Sequence, residues 1–142
     1  MEKDEPYHFQ RFLDAQEGVF ETACGELARG RKESHWMWFI FPQMEGLGRS
    51  SVARRYAVKS RAEAEAYLCH PILGARLRQS AQALLKVEGK TATQVMGSPD
   101  DLKLRSSMTL FALVAGDEIV FQEVLDKYYG GEKDTKTVAL LL

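Results

Sequence analysis

The stretch SPDDLKLRSSMTLFALV, residues 98–114, decides how the chain is read. Ser98, Pro99, Asp100 and Asp101 are helix-start chemistry: a capping hydroxyl, a proline at the first helical position and acids against the positive end of the dipole. Beyond them Leu102, Leu104, Met108, Leu110, Phe111, Leu113 and Val114 place apolar groups on most sides of the helix. A helix of that kind has to be enclosed by other elements, so this one is expected at the centre of the fold.

Working outward, the neighbouring segments are helical too. Asp117 is read as the cap of a helix carrying Ile119, Val120, Val124, Leu125 and Tyr128, stopped by Gly130-Gly131, with Asp134 or Thr135 starting a last short one. Upstream, His70-Pro71 opens a helix bearing Ile72, Leu73, Leu77, Ala81, Leu84 and Leu85 before Gly89. Ser60 and Glu63 have capping-box spacing ahead of Ala64, Ala66, Tyr67 and Leu68. Near the N-terminus Phe9, Phe12, Leu13, Val19, Phe20, Ala23 and Leu27 recur at mostly three and four residues, which predicts one helix of about 20 residues from Tyr7. Gly30 is its stop. Between these lies HWMWFIF, residues 35–41, an apolar run closed by Pro42 and read as a short extended segment, with a helical turn as the alternative. Then comes EGLGRSS, residues 45–51, where Ser50 or Ser51 caps a short helix. The expectation is a single all-α domain over residues 1–142, with five to seven helices, at most one extended piece near 36–41, and a loose arm at 1–6.

Composition removes several functions. The 142 residues carry 19 basic and 20 acidic side chains, a net charge of -1, which gives no footprint for general nucleic-acid binding. A local basic patch stays open. Cys24 and Cys69 have neither disulfide-framework nor metal-ligand spacing, so no metal is expected. The acidic start MEKDEPYHF is no signal peptide, and no apolar run reaches the roughly 20 residues of a membrane helix, so a cytoplasmic protein without membrane contact is expected.

Four blocks carry a family resemblance: ARGRKESHWMWFIFPQMEGLGRSSVARRYAV (28–58), AEAYLCHPILGARL (64–77), SPDDLKLRSSMTLFA (98–112) and FQEVLDKYYGGEKDTKT (121–137). Together they resemble the DUF1810 family, small and mainly helical bacterial proteins of unassigned function. The likeness runs from about Phe9 to Leu140. It implies a helical, soluble single domain; it supplies no activity and no catalytic residues.

Site chemistry therefore rests on the residues themselves. In an extended segment, Trp36 and Trp38 would share one face and could stack a ring, or both could fill core. His35 is a candidate acid–base group or a structural histidine. Gln43, Gly46, Gly48, Arg49 and Ser50 form a polar, glycine-bearing loop suited to an anion, with Lys32 beside it. Lys103, Ser106 and Ser107 share a helical face as K-x-x-S, the reverse of the acyl-enzyme order. No phosphate-loop or dinucleotide fingerprint occurs, and no cofactor is expected. The preferred reading is a pocket, walled by 35–51 and the Lys103–Ser107 face, for an anionic, ring-containing small molecule such as a nucleotide or ADP-ribose-like compound. As an enzyme it would be a transferase or hydrolase at a phosphoribosyl or glycosidic bond, with His35 or Lys103 moving the proton. The alternative is a non-catalytic interaction or homodimerisation module with an exposed aromatic surface.

Overall fold

The single N-terminal helix expected through Leu27 is two helices. In the computed structural model, which describes residues 6–142, α1 spans Gln10–Gln16 and α2 spans Phe20–Ala28. The break falls at Gly18, whose φ of +72° is left-handed backbone that a continuous helix does not contain. Periodicity ran through the joint because both helices turn apolar faces to one core: Phe12, Ala23 and Leu27 are fully buried.

Eight more helices follow: α3 (Met37–Ile40), α4 (Ser51–Arg55), α5 (Arg61–Cys69), α6 (Leu73–Lys86), α7 (Ala92–Met96), α8 (Asp100–Val114), α9 (Val120–Tyr129) and α10 (Thr135–Leu141). The described residues thus form ten helices, not five to seven, the surplus being mostly pieces of four or five residues. No strand occurs among them; the single bridge pairs Met44 with Val58 in parallel. The all-α class stands.

α8 is central as expected. It packs against α5, α7, α9 and α10, and Leu104, Met108, Leu110 and Phe111 are fully buried on it. Its start differs from the sequence reading. Pro99 is the N-cap, after a cis bond from Ser98, and no side chain of the cap residue closes the helix. The first N–H groups are met by the Gly97 carbonyl, 2.8 Å from Asp101 N, and by the Asp101 carboxylate, 2.9 Å from Leu102 N. Asp117 likewise does not cap α9, whose N-cap is Ile119.

Other caps are where the sequence places them. Ser50, Ser60 and Asp134 each accept from the N–H three residues on. Gly130 closes α9 in the left-handed conformation. The Ser60–Glu63 box is half made, because the Glu63 carboxylate turns to Lys59 N and Arg11 instead. A complete box at Thr91–Gln94, unread in the sequence, starts α7.

Candidate functional site

The aromatic run is a helical turn, and this decides the site. Ile40 N donates to Trp36 O at 3.1 Å and Phe41 N to Met37 O at 3.1 Å. Phe41, before Pro42, then leaves helical geometry. In an extended strand Trp36 and Trp38 would lie on one side; in a helical turn two residues subtend about 200°, so they face opposite ways. Trp36 is fully buried, whereas Trp38 is half-buried and lines a cleft. The extended reading is therefore corrected, and with it the pairing of the two rings.

Trp36 is fastened from beneath by Glu26. This carboxylate, on a residue 2% exposed, accepts from Trp36 Nε1 (2.8 Å), Glu33 N (2.8 Å), Ser34 N (2.9 Å) and Ser34 Oγ. Burial by itself would push the Glu26 pKa up, but the Ser34 hydroxyl, the two backbone N–H groups and the indole hold it at about 2. Lys32 lies on the same side, its Nζ 4.9 Å from the Trp36 ring centroid and 2.8 Å from Asp100 Oδ2. Lys32 and Trp36 accordingly belong to the joint between α2, α3 and α8 and do not line the cleft.

The cleft lies on the other side of α3. Its wall beyond Pro42 is fixed by two backbone bonds, Val58 N to Gln43 O at 2.8 Å and Glu45 N to Val58 O at 2.7 Å. Gly46, at φ +103°, turns the chain, and Gly48 lets it touch α4: a Cβ there would sit 2.5 Å from Ala53 Cβ. About 400 Å³ of empty space, part of it open to solvent, lies among Trp38, Gln43, Gly46, Gly48, Arg54 and Lys103. Lys103 Nζ stands 5.3 Å from the Trp38 ring centroid and 3.6 Å from Asp100 Oδ1. One carboxylate, Asp100, therefore links two ammonium groups, each over a tryptophan. Its closer partner is Lys32, which leaves Lys103 more loosely held. Glu45 is the acid in the lining.

Of the residues singled out in the sequence, Trp38, Gln43, Gly46, Gly48 and Lys103 come together here. His35 and Arg49 are exposed and outside the lining. Ser50 is occupied as the cap of α4, which has five residues and is too short to be an anion-binding helix end. Ser106 donates to the Leu102 carbonyl, and Ser107 is fully buried with no hydrogen-bond partner among the described residues. Both lie about a turn, roughly 5 Å, further along α8 than Lys103, inside the core. Lys103 lines the cleft and His35 does not. Arg54 lines the cleft where Arg49 does not; in sequence the Arg54-Arg55-Tyr56 triplet offers another anion contact but reads first as a solvated helix face.

The comparisons agree with this architecture. The family model described as "Protein of unknown function (DUF1810)" matches residues 6–141. The chain belongs to the DUF1810 family. A solved structure, the conserved hypothetical protein Rv1873 from Mycobacterium tuberculosis, is 48% identical, with the match covering 96% of this chain and 98% of that one, and superposes with a TM-score of 0.95. No curated protein matches. No helix among the described residues is long and apolar enough to cross a membrane.

Proposed function

We propose that the cleft beside Trp38 binds a small anionic molecule with a planar ring, of the nucleotide or ADP-ribose-like kind. The observation that carries this reading is Lys103 held over the Trp38 ring at 5.3 Å, in one cleft with Arg54 and Gln43. A half-buried indole offers a flat face for stacking, and an ammonium loosely held beside it needs little rearrangement to meet an anion. The enclosed volume of the cleft is only about 30 Å³, below the roughly 300–1,000 Å³ of small-molecule sites, so a ring would lie against Trp38 at the open mouth with its substituents outside. Gln43 adds both a donor and an acceptor for a ring edge. The alternative of an aromatic contact surface has one ring fewer to work with, because Trp36 is core.

Tryptophan fluorescence tests the reading directly, since only two tryptophans exist and only Trp38 lines the cleft. Nucleotides or ADP-ribose should quench emission saturably. Trp38→Phe should remove the response, and Lys103→Ala should weaken binding about tenfold, or about 1.4 kcal/mol. A panel that leaves both emission and melting temperature unmoved sinks the idea.

A further inference from the structure

A second concavity adjoins the cleft and shares Arg54 with it. This groove, with about 940 Å³ of empty space open to solvent, is lined by Arg11, Arg54, Arg55 and Lys59, with Glu63 the single carboxylate among the described residues. In a chain of net charge -1 that is a local concentration of cations.

The four cations are not equivalent. Arg11 is committed to the protein: Nε to Arg55 O (2.7 Å), Nη1 to Tyr7 O (2.5 Å) and His8 O (3.0 Å), Nη2 to Ala57 O (3.1 Å) and Glu63 Oε2 (3.1 Å). It neutralises Glu63 and staples the backbone at 55 and 57. Arg54, Arg55 and Lys59 form no ion pair with the described residues, and Arg55 merely rests 5.7 Å from the Tyr56 ring centroid. Basic groups at a helix C-terminus can serve the dipole alone, but that accounts for neither Lys59, beyond α4, nor the joining of groove and cleft at Arg54. Three cations on a braced backbone that form no ion pair with the described residues, with Glu63, the one acid among the described lining, already neutralised by Arg11, are the electrostatics of a polyphosphate site.

We infer that cleft and groove form one extended site, and that its ligand is a ring compound bearing a phosphate or diphosphate tail, the ring at Trp38 and the tail at Arg54, Arg55 and Lys59. This rests on the reading of the cleft given above. The groove, with a volume of about 520 Å³, also supplies the room that the small cleft lacks for a molecule as long as a nucleoside diphosphate or ADP-ribose.

Calorimetric titration with nucleosides, their 5′-diphosphates and inorganic pyrophosphate, on the full chain and on Arg55→Ala/Lys59→Ala, separates the two ideas. Both substituted residues are exposed, so the variant should fold, and an unchanged melting temperature checks that. Diphosphates should bind about tenfold or more tighter than their nucleosides, with the gain shrinking at high salt. The double variant should lose that gain while keeping nucleoside affinity, and should no longer bind pyrophosphate. Equal affinity for nucleoside and diphosphate, or a gain that survives in the variant, overturns the extended site and spares the cleft. Pyrophosphate binding that depends on Arg55 and Lys59, with no ring compound bound more tightly, keeps the groove as an anion site and overturns the cleft.

Discussion

Glu26→Ala should destabilise the protein by about 3–4 kcal/mol, a large part of a typical domain's stability. The substitution leaves the buried Trp36 indole N–H, and two backbone N–H groups and the Ser34 hydroxyl in a partly buried place, without their acceptor. Glu26→Gln should cost less, because an amide oxygen can still accept while its NH₂ meets the Ser34 hydroxyl. The two forms differ in charge, and this gives a pH signature. The Glu26 pKa is held at about 2 in the fold, below the ordinary carboxyl value of about 4.5, so its ionised form stabilises the fold above about pH 4.5, on the order of 3 kcal/mol. That contribution is lost as pH falls from 4.5 through 2. Denaturant unfolding of wild type and Glu26→Gln at pH 7 and pH 3 should show the gap between them shrinking by roughly half. A gap that is constant or widens in acid would contradict the arrangement.

Gly74→Ala should be nearly as damaging, in the direction opposite to helix propensity. Alanine is better than glycine inside a helix by about 1 kcal/mol, and Gly74 is the second residue of α6. Here a Cβ would lie 2.1 Å from the Leu68 carbonyl oxygen and 2.9 Å from its carbon, where α5 ends against α6. The obstacle is backbone, fixed further by Arg78 Nη1 donating to the same oxygen at 3.1 Å. Overpacking of this kind costs about 1–3 kcal/mol or more, so sterics win and the melting temperature should drop by several degrees. Gly25→Ala is the counterpart. Its Cβ would meet only the movable Arg29 guanidinium at 3.5 Å, and the substitution should be neutral or stabilise by up to about 1 kcal/mol. Equal behaviour of the two variants would refute the role given to Gly74.

Those two residues also mark the limit of sequence reading. Ser50, Ser60, His70, Gly130 and Asp134 were legible because each acts on backbone within four residues. His70 Nδ1, for instance, accepts from Ile72 N and Leu73 N at the start of α6. The Thr91–Gln94 box is equally local. Glu26 could not be read: its partners lie seven to ten residues away, across a loop whose path depends on the carboxylate itself. Gly18 broke a helix whose apolar spacing continued on both sides, since the core rewards spacing whether or not the backbone is continuous.

The candidate site divides along the same line. The sequence by itself determined an all-α chain with a central α8, the family, and a window from 35 to 51 where aromatic rings meet a glycine-bearing polar loop. Only the tertiary structure decided that Trp36 is core and Trp38 is wall, that Arg54 and not Arg49 reaches the cleft, and that Lys103 arrives without Ser106, Ser107 or His35. The reason is geometric. One turn of helix in place of a strand reverses which residues share a face, and four residues carry too weak a local preference to choose between them. The choice falls to groups far along the chain, Glu26 beneath one indole and Lys103 over the other.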